Sequence, residues 1–232
     1  MGTFLAVFFM REQDLVKIPT ILLIFITYFS GYLYTKYQNS GKLFYKILLF
    51  NVVSGIISAI LIISNHNEVR LVKWAVIVIL GLLYDSWFLK NYVRQIPLFK
   101  VFYVGFTWAM INSWLIIPEF NLEIFVITLL YITALVLPFD IRDMQSDTVT
   151  TFPKIIGIQK TKYLAYLFCA ISAVLAIQFL KIDFAIAYFV SIVFSFILIY
   201  FSNETRKDSY FSFLVETCAG LPFLIYVLMQ YF

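Results

Sequence analysis

Apolar residues run along this chain in long blocks, broken at near-regular intervals by short polar stretches. The blocks fall at about 18–37, 43–64, 71–89, 98–117, 122–139, 163–180, 184–201 and 210–231. Each is close to the roughly 20 residues that a helix needs to cross a hydrocarbon core. A shorter block, residues 1–10 (MGTFLAVFFM), cannot span and lacks the basic start and small-residue cleavage site of a signal peptide. It reads as the last half of a spanning helix, with an upstream part missing from the chain. The pattern predicts an all-α, polytopic transmembrane bundle over 1–232, with eight full spans plus a partial first helix. The connections are mostly short, so neighbouring helices should run antiparallel. No Pro/Gly/Ser-rich linker, soluble insert or tandem repeat divides the chain, which predicts one transmembrane domain.

Composition agrees with the pattern. Of 232 residues, 62% are hydrophobic and 13% charged, and the mean hydropathy is +0.92. Soluble domains are about a quarter charged and about half apolar, so the bilayer, not nucleic acid, is the expected surrounding. Cys169 and Cys218 lie in apolar runs and read as small core hydrophobes rather than a disulfide or metal pair. His66, the single histidine, stands in a polar loop between Asn65 and Asn67, which argues against histidine catalysis.

Charge gives a direction. One set of connections holds Lys36, Lys42, Lys46, Lys90, Arg94, Lys100, Arg142, Lys154, Lys160, Lys162, Arg206 and Lys207. The other side holds Arg11, Lys17, Arg70, Lys73 and Lys181. The bias of twelve against five places the first set in the cytoplasm of a cell whose inner membrane the protein crosses, with a bacterial plasma membrane expected. The longest connection, 140–162, lies on that side.

That connection carries the candidate chemistry. Asp140, Asp143 and Asp147 stand three and four residues apart, and positions i, i+3 and i+7 share one face of a helix. Such an acidic ridge suits Mg²⁺, which takes one or two carboxylates together with substrate phosphates. The same spacing also fits solvated interfacial charges, with Arg142 neutralising one of them. Lys90, Arg94 and Lys100 follow Tyr84-Asp85-Ser86-Trp87 and form either the cationic half of a diphosphate clamp or an ordinary basic loop on anionic headgroups. Within the spans, Asn51 and Asn112 read as interhelical hydrogen-bond partners. Glu216 reads as a pocket residue or a helix-to-helix contact, and Asp85 lies near a helix end. Tyr32, Tyr34, Tyr84, Trp87 and Trp108 are aromatic enough to line a cavity that stabilises a carbocation, or else belong to the interfacial belt and packing.

The run Asp140-Ile-Arg-Asp143-Met-Gln-Ser-Asp147, followed by Thr151-Phe152-Pro153-Lys154-Ile155-Ile156-Gly157, resembles the second aspartate-rich motif of the UbiA superfamily of intramembrane prenyltransferases. Tyr84 and Lys90 resemble the tyrosine and lysine near that family's fourth helix. The resemblance implies a nine-helix bundle in which Mg²⁺ and the diphosphate of a polyprenyl donor are held at the mouth of an apolar tunnel. A lipophilic, aromatic or quinone-type acceptor then attacks the allylic cation. It implies catalytic roles for Asp143 and Asp147, metal ligation by Asp140, Asp143 and Asp147, and substrate binding by Lys90, Arg94 and Tyr84. The family's first aspartate-rich motif has no counterpart, because Gly31–Asn39 holds no carboxylate. Two alternatives stand beside this one: a relative that binds a lipid or quinone without catalysis, and a small transporter relaying ions through Glu216 and Asp85.

Overall fold

A computed structural model of the protein describes residues 1–37, 41–85 (Asp85 by its backbone only), 96–146 and 149–231. The helices are α1 (Gly2–Glu12), α2 (Ile18–Tyr37), α3 (Lys42–Ser64), α4 (Glu68–Asp85), α5 (Phe99–Met110), α6 (Leu122–Arg142), α7 (Phe152–Ile156), α8 (Ile158–Phe179), α9 (Ile182–Phe201), α10 (Glu216–Cys218) and α11 (Leu221–Met229). Two π-helical turns, Ile111–Leu115 and Tyr210–Val215, extend α5 and precede α10. No strand occurs among the described residues.

The protein is an all-helical integral membrane protein. Five of its described helices (α2, α3, α6, α8 and α9) are each long and apolar enough to cross a bilayer, and the pair Tyr210–Cys218 and Leu221–Met229, bent by 54°, counts as a sixth only if it crosses as one broken span rather than turning back. The other two expected spans look different. α4 carries Glu68, Arg70 and Lys73 in its first turns, and α5 ends as an α-helix at Met110 before its π-helical turn.

The chain divides into two compact units, Met1–Leu15 with Ile96–Phe232, and Val16–Gln95. In the first unit α6 is the axis, with 67% of its apolar window buried against 28% for α8 and 44% for α9. Tight packing follows from small residues. Ala165, Cys169, Ser172, Ala173 and Ala176 form the buried stripe of α8, and Ser172 reaches the α6 backbone. Small residues let helix backbones approach where no hydrophobic force separates protein from lipid. At Gly105 of α5 an added Cβ would collide with Thr133 Oγ1 and the Leu129 carbonyl of α6, so only glycine fits. The outward faces of α8 and α9 stay apolar and exposed, at Leu167, Val174, Ile177, Phe189, Val193 and Ile197. That inverted surface is what lipid requires. Both cysteines are buried thiols, as their apolar settings predict.

α1 is interior to this unit, with Leu5, Ala6, Phe8, Phe9 and Met10 fully buried. It packs on α11, where a Cβ on Gly220 would meet Met1 Sδ at 2.9 Å. The bend before α11, 54°, has a covalent cause. Pro222 has no N–H to give the carbonyl four residues back, that of Cys218. Tyr131 of α6 donates its hydroxyl to that carbonyl at 2.8 Å.

In the second unit, α2, α3 and α4 pack together. Arg70 donates to Thr20 at 2.8 Å and the Trp74 indole to Thr27 at 3.0 Å, both joining α4 to α2. Lys36 turns back on Tyr32, its ammonium 2.8 Å from the phenol oxygen.

Candidate functional site

α6 reaches its end through Pro138-Phe139-Asp140-Ile141-Arg142, and Asp143 leaves the helix at φ −87°, ψ 5°. Its carbonyl then accepts from the Ser146 N–H at 3.1 Å, a tight turn rather than another helical turn. The acidic residues therefore do not continue as one helical face, which corrects the ridge expected from their spacing. An α-helical face needs the helix to continue through Asp147, and here it stops at Arg142.

The two described carboxylates of the run have separate environments. Asp140 points into the bundle, its side chain only 2% exposed, and Lys100 of α5 places its ammonium 3.2 Å from Oδ1. Asp143 sits at the surface end of α6 and is gripped by its neighbour Arg142 through two parallel bonds, Nε to Oδ1 at 2.6 Å and Nη2 to Oδ2 at 2.8 Å. Such forked pairs are among the stronger charge-assisted bonds. The Arg142 guanidinium also lies over the rings of Phe139 and Phe211, at 5.2 and 5.7 Å, with Asp208 at 3.7 Å. A cation of the chain therefore stands at each carboxylate. The expectation that Arg142 neutralises one of the run is what the geometry shows.

The connection that follows is held in place rather than draped. The Leu98 N–H donates to the Thr150 carbonyl at 3.2 Å, fastening the loop to the start of α5. Thr151, 3% exposed, precedes the short α7, whose early proline suits the first turn of a helix. Gly157 has φ +80°, a conformation glycine adopts without steric cost, and the chain turns there into α8. Phe152 of α7 packs edge-on against Phe102 of α5. The Thr-Phe-Pro…Gly sequence thus folds as a compact corner closing the end of α5, α6 and α8.

Other predicted site residues are placed differently. Asp147, Lys90, Arg94 and Trp87 lie outside the described residues. Tyr84 sits half-buried near the end of α4 in the second unit. Lys100, grouped by sequence with Lys90 and Arg94, is instead engaged with Asp140. Among the described residues no three His, Cys, Asp or Glu side chains gather as a metal site. The carboxylates present have the hard-oxygen chemistry that Mg²⁺ takes, and Asp143 is the more accessible of the two described.

Two polar features of the interior were not legible in the sequence. One is a hydrogen-bonded girdle midway along α6. Ser172 donates to the Ile127 carbonyl at 2.8 Å, leaving the Tyr188 hydroxyl, 2.8 Å away, to donate to Ser172. Tyr131 joins Cys218 and stands 3.1 Å from Ser195. The other is Asn112. It was expected to bond across helices, yet it is fully buried in the π-helical turn and neither amide atom has a partner among the described residues. Asn51 leaves its carbonyl oxygen unpaired in the same sense. Glu216 opens α10, half-buried, beside the bend.

No protein-family model matches this chain, and neither a curated protein nor a solved structure matches it.

Proposed function

We propose that this chain is a UbiA-like membrane prenyltransferase of eight spans plus α1, transferring a prenyl group from an isoprenyl diphosphate to a lipophilic, aromatic or quinone-type acceptor. The observation that carries this reading is the Asp140–Gly157 segment. It ends the most buried spanning helix, and beside its two described carboxylates stand Arg142 of the segment and Lys100 of α5. In this reading the corner faces the cytoplasm, where diphosphates are soluble. Asp143 and Asp147 would hold Mg²⁺, with Asp140 supporting them from its pair with Lys100. The ion's contribution would be to neutralise the charge of the leaving diphosphate. Arg142, in turning from Asp143 towards a phosphate, would exchange one forked anion partner for another.

One observation favours a second reading, a relative that binds a prenyl lipid or quinone without transferring it. Both described carboxylates already have a cationic side chain of the chain itself beside them, and the first aspartate-rich motif is missing. The two readings separate in one experiment. The purified protein, in nanodiscs loaded with a lipophilic phenolic or quinol acceptor, is given farnesyl or geranylgeranyl diphosphate with Mg²⁺ or with EDTA. Diphosphate release and thermal stabilisation are then followed for the parent, Asp143→Asn and Asp147→Asn. Mg²⁺-dependent release lost in both variants supports transfer. Stabilisation without release, indifferent to EDTA, supports the binding-only relative. Neither response from the parent removes the family reading.

A further inference from the structure

We propose that the outer groove between α8 and α9 is a binding site for an anionic phospholipid, its acyl chain in the groove and its phosphate between Lys162 and Arg206. The groove measures about 300 Å³ and is lined by Tyr166, Phe196, Ile197, Tyr200 and Phe201. Tyr166 and Phe196 stack at 4.8 Å between ring centres with an 18° tilt, giving it a flat aromatic floor. Its lining opens outward, since Tyr200 is 65% and Ile197 48% exposed. Continuous with it are the apolar faces of α8 and α9 that lipid must cover.

The polar end of the groove fixes what kind of lipid fits. Lys162 donates its ammonium to the Tyr200 carbonyl at 2.7 Å, and Arg206 donates Nε to the Phe201 carbonyl at 3.2 Å. Those carbonyls belong to consecutive residues, and both residues line the groove. Two cations are therefore each tied to the backbone of a residue that lines the groove, at the same end of α9. Neither is used up by its carbonyl, because an ammonium has three N–H donors and a guanidinium five. The Arg206 guanidinium is steadied over the Tyr210 ring at 5.5 Å. Exposed Lys160 and Lys207 add charge of the same sign on the two segments that frame the mouth.

The acidic neighbours are engaged elsewhere. Glu204 accepts from Gln145 at 2.9 Å, and Asp208 stands 3.7 Å from Arg142. A phosphodiester without a compensating amine, as in phosphatidylglycerol, suits such a mouth better than a zwitterionic headgroup. The level is right as well. The mouth lies where α9 gives way to the polar Ser202–Asp208 turn, at the depth of headgroups rather than of tails.

The test uses the full chain in nanodiscs of equal parts phosphatidylcholine and phosphatidylglycerol. Native mass spectrometry counts the lipids retained. A phosphatidylglycerol with a diazirine in its acyl chain then maps the contact. The expected result is preferential retention of phosphatidylglycerol by the parent, with crosslinks on peptides containing Tyr166 or Phe196–Phe201. Retention should fall about fivefold for each cation removed in Lys162→Ala and Arg206→Ala. Lys162→Arg should hold the parent level, which separates loss of charge from loss of fold. Equal retention of the two lipids, crosslinks scattered over the other helices, or unchanged retention when Lys162→Ala and Arg206→Ala are combined would each overturn the proposal. So would a dimer in which a second copy shields the groove from the probe.

Discussion

Two of the places where the first unit buries polar groups are built on opposite terms. Midway along α6 the girdle of Tyr131, Ser172, Tyr188 and Ser195 is neutral, and each hydroxyl lies within bonding distance of another polar atom. At the end of α6 the groups are acidic and basic side chains, and each described carboxylate has a cationic side chain beside it. Neutral hydroxyls can be satisfied by backbone oxygens that a bent helix leaves over, at little desolvation cost. A carboxylate that is 2% exposed cannot be treated so cheaply, because burying a charge is costly unless it is paired. The neutral girdle therefore reads as architecture. The charged end, which costs more to build, is the end on which the proposed function rests.

The sharpest way to break that contrast is to remove Lys100. Breaking one side of a buried ion pair costs about 3–5 kcal/mol, whereas replacing both partners by apolar residues is often neutral. Lys100→Met should therefore lower the thermal midpoint in nanodiscs strongly, and Lys100→Met with Asp140→Leu should recover most of the loss. If the double variant is no better than the single one, Asp140 is held by something other than its charge balance.

The girdle should respond more mildly. Tyr131→Phe keeps the ring but strands the Cys218 carbonyl, which Pro222 cannot serve. Interhelical hydrogen bonds in membranes are worth on the order of 1 kcal/mol, and a stranded buried acceptor about 1–3. A loss in that range, with faster hydrogen exchange confined to 216–229, is the expected outcome. Uniform exchange along the chain would mean that Tyr131 does not hold the bend.

Much of this was visible in the apolar blocks. Among the described residues every one of them contains helix, because block length and bilayer thickness are matched by physics. Pairing was not visible. Asp140 and Lys100 lie forty positions apart on different helices, and only packing brings them together. The ridge failed for a local reason, since a helix-period argument assumes a helix that goes on, and Asp143 ends it. Asn112 failed likewise, because a π-helical turn shifts the direction of a side chain and no sequence pattern announces one.

Asn112 provides the next contrast. Its amide is buried with no partner among the described residues, so an apolar replacement of similar size has nothing to break. Replacing an unsatisfied buried polar group by an apolar one of like shape is near neutral or stabilising. Asn112→Leu should therefore leave the midpoint unchanged or raise it slightly, by the equivalent of about 1 kcal/mol or less. A clear loss would show that the amide binds something in the π-helical turn, such as an ordered water.

The smallest effect is expected where charge is fully exposed, at Asp14 and Lys181, whose side chains meet at 2.6 Å between the α1 end and the α8–α9 turn. The Lys181 ammonium holds the Asp14 carboxyl below its usual 3.8, and Asp14 in return lifts Lys181 above its usual 10.5. Stability from the lowered carboxyl is present above the ordinary carboxylate value and is lost as pH falls through the lowered one. Stability from the raised ammonium is present below the ordinary lysine value and is lost as pH rises through the raised one. The pair therefore acts across a plateau from about pH 5 to 9 and vanishes at both ends. Asp14→Asn removes it without straining the backbone, since φ at this residue is +54° and asparagine is several-fold enriched at such angles. The difference in midpoint between parent and variant should be small, flat across the plateau and erased by salt, because exposed pairs are screened. A difference that persisted in high salt, or that grew towards acid pH, would show that Asp14 acts through a buried contact instead.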